Sequence, residues 1–480
     1  MIRTRFAPSP TGYMHIGNLR TALYEYLIAR SNGGKFILRI EDTDQERFVE
    51  GAVDVIYKTL KLAGIKPDEG PNIGGEYGPY IQSERKNCYM DYAIQLVEQG
   101  DAYYCFCTKE RLEGLKVSSK DNIAKYDRHC ANLSKQEVDK LIKNNTPFVI
   151  RQKIKEGSTT FKDEVYGLIT VDNNEIEDQI LIKSDGLPTY NFANVIDDHL
   201  MNITHVIRGS EYLSSTPKYN LLYEAFGWNI PTYIHVPPVM KNQTEKLSKR
   251  NGDASFQDLI EKGYLPQAIV NYVALLGWAP STNQEIFTMD ELIKSFDTSG
   301  LSKSPAIFDM TKLTWMNGEY IKNLDFEEFY NIAILKLEDS IKRKDIDLRL
   351  IAQYIKTRIG TFNDIAEMVS FIDCVSDYDV SLYKHKKMKT DEELSLKVLS
   401  EMIPVMESID NWDNDTIYET LTDFAAKNSM KNGQVLWPIR TALSGKPTSP
   451  CGASELAVLL GKEDTIKRIK DAVLKLSSIN

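Results

Sequence analysis

Within residues 2–60 the chain twice passes from a short apolar stretch through a brief turn into a helical period, and this repeat limits the fold more than any other feature. Residues 2–7 alternate as a strand does and stop at Pro8-Ser9-Pro10-Thr11-Gly12. After His15-Ile16-Gly17, the residues Leu19, Leu23, Tyr26, Leu27 and Arg30 recur at helical spacing until Gly33-Gly34. A second strand over 36–40 leads into Glu41-Asp42-Thr43-Asp44, and Thr43 with Glu46 fits a capping box for a helix that would bury Val49, Val53, Ile56 and Leu60. Short joints between such elements predict a parallel, doubly wound sheet. The first joint is also suited to phosphate, because a helix N-terminus offers backbone N–H groups and the positive end of the dipole. His15 and Asn18 would add donors there, and Gly17 would permit close approach. An ordinary strand-to-helix turn with a surface histidine is the alternative reading.

Near Tyr103 the pattern changes. Up to about residue 185 short strands, over 148–154 and 177–183, stand among polar loops as an α+β insertion would. The α/β pattern then resumes with a strand over 204–207 and a helix opened by Ser215-Thr216-Pro217 and closed by Gly227. From residue 324 onward the apolar positions keep helical spacing, which predicts an all-α carboxy-terminal region. The expected division is 1–104 for the first half of a split Rossmann-like domain and 105–185 for the insertion. It continues with 186–235 for the second half, 236–323 for a region that carries Lys246-Leu247-Ser248-Lys249-Arg250, and 324–480 for the helices.

Bulk composition narrows the class. The 480 residues, 42% hydrophobic and 26% charged, describe a multidomain globular protein rather than a disordered or membrane chain. No stretch supplies the roughly 20 apolar residues of a spanning helix, and the start lacks the core of a secretory signal, so a cytoplasmic location is expected. Six irregularly spaced cysteines do not form a disulfide framework. A net charge of −10 argues against indiscriminate coating of nucleic acid, while a local run such as Lys384, His385, Lys386, Lys387 and Lys389 leaves room for a shaped basic surface or a solvated loop.

A second element for phosphate chemistry is Lys246-Leu247-Ser248-Lys249-Arg250, followed by the turn Asn251-Gly252-Asp253. Its cations can offset a triphosphate and the pyrophosphate released from it. No P-loop and no Gly-x-Gly-x-x-Gly fingerprint is present, so neither a P-loop ATPase nor a dinucleotide enzyme is supported.

Taken together, His15-Ile16-Gly17-Asn18 and Lys246-Leu247-Ser248-Lys249-Arg250 resemble the paired signature motifs of the class I aminoacyl-tRNA synthetases. The strings Arg3-Thr4-Arg5-Phe6-Ala7-Pro8-Ser9-Pro10, Leu38-Arg39-Ile40-Glu41-Asp42-Thr43-Asp44, Pro188-Thr189-Tyr190-Asn191-Phe192-Ala193-Asn194 through Asp197-Asp198-His199, and His205-Val206-Ile207-Arg208-Gly209-Ser210-Glu211 resemble its bacterial glutamyl branch. So does Trp437-Pro438-Ile439-Arg440-Thr441-Ala442-Leu443-Ser444-Gly445 near the end. The likeness spans nearly the whole chain.

The resemblance implies an ATP-dependent ligase that activates L-glutamate as its adenylate and transfers it to the terminal ribose of tRNA(Glu), with Mg2+ beside the nucleotide and a monomeric state. It implies that Arg5 and Arg208 hold the substrate's carboxylates, for which a guanidinium fork is suited. Glu41 would accept from the α-ammonium, and Ala7, Ser9, Tyr190 and Asn194 would complete that shell. His15, Gly17, Asn18 and Glu211 are expected at ATP, with Lys246, Ser248, Lys249 and Arg250 at its phosphates. His15, Lys246 and Lys249 are the residues expected to act in the chemistry. The alternatives are a strand-edge role for Arg5, a helix cap for Glu41 and a core position for Tyr190.

In that family a zinc site can occur in the insertion, and Cys105, Cys107 and Cys130 match three of its ligand positions. Asn132 stands at the fourth, and His129 could substitute only if its loop rearranged; buried free thiols are the alternative. Arg440, Ser449 and Pro450 fall where the family's helical domains meet the anticodon. Other readings are a glutaminyl-tRNA synthetase, whose anticodon region is built of β-barrels, a glutamyl-queuosine type enzyme, which lacks the helical part, a non-catalytic tRNA-binding protein, and a nucleotidylyltransferase.

Overall fold

The computed structural model describes residues 1–43, 49–118, 126–247 and 255–478. It divides into two compact units, Met1–Leu259 with Ile269–Asp309, and Ile260–Ala268 with Met310–Asn480. In the first, β1 (Arg3–Phe6), α1 (Ile16–Ser31), β2 (Lys35–Leu38) and α2 (Ala52–Leu62) follow the expected alternation. Next come α3 (Lys86–Gln99), β3 (Ala102–Cys105), α4 (Lys109–Ser118), α5 (Lys135–Lys143), β4 (Val149–Gln152), β5 (Ser158–Asp163), β6 (Gly167–Asp172) and β7 (Ile180–Ile182). After them the chain forms α6 (Tyr190–Leu200), β8 (His205–Gly209), α7 (Thr216–Phe226), β9 (Thr232–Val236) and β10 (Val239–Met240). The short helices α8 (Phe256–Glu261) and α9 (Pro266–Ala274) each hold residues of both units, and α10 (Met289–Ser295) and β11 (Ala306–Ile307) complete the first.

β1 and β2 run parallel, with Arg3 opposite Lys35 and Phe6 opposite Leu38. β8 joins the other edge of β1 through Thr204, whose N–H donates to the Arg3 carbonyl at 3.0 Å and whose hydroxyl accepts from Arg3 N at 2.9 Å. β8 pairs with β9 in parallel, β9 meets β5 in parallel at Tyr233 and Asp163, and β6 returns antiparallel to β5. Strands from two distant stretches thus complete one parallel layer, as a split nucleotide-binding sheet requires. The hairpin β5–β6, although it sits in the sequence among the insertion's strands, extends this layer. β3, β4 and β7 form a separate antiparallel sheet.

Helix α1 is buried on every side, with Leu19, Leu23 and Leu27 shielded from solvent together with the charged Arg20 and Glu25. Truncating such a leucine to alanine costs about 2–5 kcal/mol. At the end of α7, Gly227 takes the left-handed conformation (φ +66°) expected of a helix-terminating glycine. One expectation fails: α2 starts at Ala52 after Gly51, and Val49 is 46% exposed, so Val49 belongs to the approach and not to the buried face. Glu46, the other half of the expected capping box, and Asp44 lie outside the described residues.

The second unit is built from α11 (Met310–Asn323), α12 (Phe326–Ser340), α13 (Leu348–Ile355), α14 (Asp364–Met368), α15 (Glu392–Glu407), α16 (Asn414–Lys427), α17 (Asn432–Ser444), α18 (Ala453–Leu460) and α19 (Lys462–Ser477). A continuous core that includes Phe329, Ile351, Leu399, Leu421, Ile439 and Leu456 is buried among them. Among its described residues no strand forms beyond a single bridge between His385 and Thr390. No described helix is long and apolar enough to cross a membrane.

Candidate active site

The carboxyl end of β1, the N-terminus of α1, the end of β8 and the segment after β9 surround a cleft of about 580 Å³ within the first unit. Its wall includes Arg5, Ala7 and Ser9 from the β1 side, His15, Gly17 and Asn18 from the turn, and Tyr190, Arg208, Glu211 and Lys246 from the second half. These ten expected residues, up to 241 positions apart in sequence (Arg5 to Lys246), therefore meet in one concavity at the carboxyl ends of parallel strands. Ser248, Lys249 and Arg250 lie outside the described residues. Both flanks of that stretch are fixed at the cleft: Met240 bridges to Lys246, and Ser255 bridges to His15.

At the turn, His15 caps α1 and its Nδ1 accepts the Gly17 N–H at 3.0 Å. An accepting Nδ1 leaves the proton of the neutral ring on Nε2, so the ring can donate from its other edge. The Asn18 amide is likewise bound to the His15 carbonyl at 2.9 Å. Those two N–H groups serve the cap, and the side chains with the helix dipole are what a phosphate can meet. Gly17 packs against the imidazole, where a Cβ would stand 3.3 Å from Nδ1.

Beneath the cleft lies a buried ionic cluster. Arg5 grips Asp198 with two bonds, Nε to Oδ1 at 3.0 Å and Nη2 to Oδ2 at 3.1 Å, and its Nη1 stands 3.5 Å from Glu25. Arg39 reaches Glu41 at 2.9 Å and Asp198 at 2.8 Å, while Arg85 holds Asp197 at 2.7 Å. Among the described residues, the carboxyls of Glu25, Glu41, Asp197 and Asp198 outnumber the guanidinium groups of Arg5, Arg39 and Arg85 by one. Full ionisation of all of them is unfavourable in so dry a place. Burial, opposed by Arg39 and Arg5, pushes the Glu41 carboxyl up to about 7. Burial also drives Glu25 well above the ordinary carboxylate range against the pull of Arg5. Asp198 is held below it despite burial, because Arg5 and Arg39 both face it.

The expected amino-acid residues differ in their surroundings. Arg5 lines the cleft, but its fork is already engaged by Asp198. Glu41 and Asn194 stand behind the lining; Asn194 spends its amide on the Tyr190 carbonyl at 3.0 Å, and Oε2 of Glu41 has no hydrogen-bond partner among the described residues. Arg208 differs from both. It is 6% exposed and lines the cleft, yet no carboxylate among the described residues lies within 4.0 Å of it. Its neighbours are neutral: Tyr219, Tyr233 and Tyr212, whose ring centres lie 4.4, 5.3 and 5.4 Å from its Cζ, with Thr216 and His235 at its edge. A buried guanidinium without a counter-ion favours an arriving anion.

Asp198, Arg39, Glu25 and His235 join these residues without having been expected from the sequence as site residues. A signal exists for Asp198: two adjacent acids close the apolar run Val195-Ile196, an unfavourable place for carboxylates unless cations await them.

The expected thiols converge, with the sulfurs of Cys105, Cys107 and Cys130 all within 4.8 Å of one another and 3.6 Å between Cys107 and Cys130. Ligands about 2.3 Å from a tetrahedral zinc would stand about 3.8 Å apart, so the sulfurs fit such an ion. The fourth polar atom is neither Asn132 nor His129, both exposed, but the hydroxyl of Tyr126, at 3.2 Å from Cys105 Sγ and 3.4 Å from Cys107 Sγ.

In the second unit Arg440 lies 4.1 Å over the Trp437 ring and lines a recess of about 520 Å³ with Trp437, Tyr418 and Met388. Ser449 and Pro450 are buried. The Ser449 hydroxyl accepts from Arg440 at 3.2 Å and donates to the Cys451 carbonyl at 2.7 Å. The Ser449 side chain thus holds Arg440 in place.

Residues 1–315 match the family model described as the catalytic domain of class I tRNA synthetases (E and Q), and 321–473 match an anticodon binding domain. The chain is 60% identical over 479 residues to a glutamate–tRNA ligase of Clostridium novyi, covering 99% of this chain and 98% of that one. Its identity to the glutamate–tRNA ligase of Clostridium acetobutylicum is 59% over 478 residues, 99% of each chain. The crystal structure of a glutamate tRNA ligase from Elizabethkingia meningosepticum in complex with its amino acid superposes with a TM-score of 0.87 at 36% identity over 99% of both chains. These likenesses span both units, and the chain belongs to the glutamate–tRNA ligase family of class I tRNA synthetases.

Proposed function

We propose that the chain joins L-glutamate to tRNA(Glu) at the expense of ATP, in two steps within the cleft. In the first, a carboxylate oxygen of glutamate attacks the α-phosphorus of ATP and pyrophosphate leaves; in the second, a ribose hydroxyl at the tRNA terminus attacks the adenylate carbonyl and AMP leaves. The substrate brings its own nucleophile, so the first step needs alignment and charge stabilisation more than a protein base.

The observation that carries this reading is Arg208, a buried cation in the cleft with no protein anion within 4.0 Å among the described residues. It suits the side-chain carboxylate of glutamate and offers nothing equivalent to the neutral amide of glutamine. Glu41, whose Oε2 has no hydrogen-bond partner among the described residues, suits the α-ammonium as its acceptor when ionised, with Arg5 steadied between Asp198 and the substrate; Ala7, Ser9, Tyr190 and Asn194 shape that end. His15 Nε2–H and Asn18 would contact ATP beside Gly17 and Glu211. Lys246, Lys249 and Arg250 would neutralise its phosphates, to which the Ser248 hydroxyl could donate, and Mg2+ would share that charge when bound.

In the same reading residues 105–185 receive the acceptor end, 236–323 carry the lysine motif and contact the stem, and 324–480 read the anticodon with Arg440 as the planar group on which a base can stack. Cys105, Cys107 and Cys130 would hold a zinc ion that pins the insertion, with Tyr126 closing the set; metal analysis of a Cys130→Ser variant against the parent tests this. The chain is proposed to work in the cytoplasm as a monomer.

ATP–pyrophosphate exchange in the presence of tRNA(Glu) tests the central claim. Exchange with glutamate and none with glutamine is expected; exchange supported by glutamine alone would overturn it.

A further inference from the structure

Arg208 has a purpose-built mount. Its Nε donates to His235 Nε2 at 3.1 Å and its Nη2 to Thr216 Oγ1 at 2.9 Å. His235 can accept at Nε2 only if its proton sits on Nδ1, and that nitrogen lies 2.7 Å from Asp163 Oδ2. The same Oδ2 takes the His235 backbone N–H at 3.0 Å, and Oδ1 takes the N–H groups of Val165 at 3.0 Å and Tyr166 at 2.8 Å. With donors on both oxygens Asp163 is fixed as an acceptor, so it enforces one tautomer on His235. Both residues are fully buried.

We propose that Asp163 and His235 are positioning residues for substrate recognition: Asp163 sets the His235 tautomer, and His235 fixes the Nε edge of Arg208 so that its opposite, terminal end meets a carboxylate. The inference rests on the reading of Arg208 as the carboxylate-binding residue. It explains why a buried histidine pairs with an aspartate in a place where no proton transfer is required. It also gives the β5–β6 hairpin a part in the amino-acid site, because Asp163 ends β5 and reaches β9 at its pairing with Tyr233.

Four variants test this, each assayed for KM of glutamate, KM of ATP and kcat. Arg208→Ala should abolish measurable saturation by glutamate. His235→Ala removes the acceptor and should raise the glutamate KM about tenfold, the scale of one hydrogen bond to a charged group, with the ATP KM unchanged. His235→Gln keeps an acceptor near the Nε2 position and should remain within about threefold of the parent. Asp163→Asn inverts the tautomer preference and should resemble His235→Ala.

A glutamate KM unmoved in His235→Ala, or one raised in step with the ATP KM, overturns the positioning role while Arg208→Ala still loses glutamate. An unchanged glutamate KM in Arg208→Ala overturns the underlying assignment instead. Where His235→Ala does not fold, the contrast between His235→Gln and Asp163→Asn replaces it: a higher glutamate KM in Asp163→Asn supports the positioning role, and equal values for the two overturn it.

Discussion

Replacing Glu41 by Gln should change how stability depends on pH, and the direction follows from the buried cluster. Burial raises the Glu41 carboxyl to about 7, whereas an unfolded chain titrates it near 4.3. Between those values the folded state keeps a proton that the unfolded state releases, so stability falls as pH rises and the loss is complete just above pH 7. At about 1.4 kcal/mol per pH unit, the penalty accumulated from pH 5 to pH 8 is about 3 kcal/mol. Glu41→Gln retains the shape and a polar partner for Arg39 but cannot titrate. The parent should therefore lose about 3 kcal/mol against the variant over that range, roughly 5 °C in Tm for a unit of this size. Thermal unfolding at one scan rate and fixed ionic strength, at pH 5 and pH 8, reads the difference. A Tm gap between parent and variant that is the same at both values refutes the assignment of a raised Glu41. A linked expectation concerns binding: as the ionised Glu41 is the proposed acceptor for the α-ammonium, the glutamate KM of the parent should rise as pH falls below 7.

Asp198→Ala strips Arg5 and Arg39 of their shared carboxylate, both inside the first unit, and should cost about 3–5 kcal/mol in urea unfolding. A loss under 1 kcal/mol would mean that the cluster reorganises freely. Glu69 shows the opposite titration behaviour to Glu41. Burial opposes its ionisation, but hydrogen bonds from Arg3 and Tyr80, with Lys35, hold it at about 2. Its contribution, about 3 kcal/mol, is therefore present above pH 4.3 and disappears as pH falls toward 2. Glu69→Gln should thus be less stable than the parent at pH 7, with the gap in urea unfolding narrowing below pH 4. Lys246→Ala, at the exposed rim of the cleft, should raise the ATP KM roughly tenfold and leave the glutamate KM alone, as expected for lost phosphate neutralisation.

What can be read from the sequence is local in origin. β1, the turn at His15 and α1 follow from alternation, punctuation and spacing within 31 residues, and the two motifs can be paired because each is short and chemically distinctive. The first turn of α2 lies later than its apolar spacing suggests, because Val49 satisfies a helical period that the chain does not use; Gly51, with its left-handed backbone, starts the helix instead. The deeper differences concern partnership. Arg5 reads as a substrate residue because an arginine in a cleft is the expected carboxylate holder, yet 193 residues away Asp198 supplies a carboxylate on an interior face of α6. Nothing in the spacing announces that pairing, since it arises only when β1 and α6 are brought together by the completed sheet.

The same long-range assembly accounts for the contrast between two arginines that look equivalent in sequence. Arg5 and Arg208 both sit on strands that end at the cleft, and both are buried. A guanidinium already paired with protein carboxylates can orient a ligand but gains little from a further anion, whereas one left among neutral partners gains the whole interaction on binding. In the proposed reading, discrimination between glutamate and its neutral amide falls to Arg208, and it depends on keeping protein anions away from that residue. A tyrosine enclosure with a neutral histidine at its edge does this, since each ring stabilises the cation without satisfying it. Introducing a carboxylate into that enclosure, as in Tyr219→Glu, should pair with Arg208 internally and abolish glutamate selectivity; retained exchange at low glutamate in that variant would contradict this account.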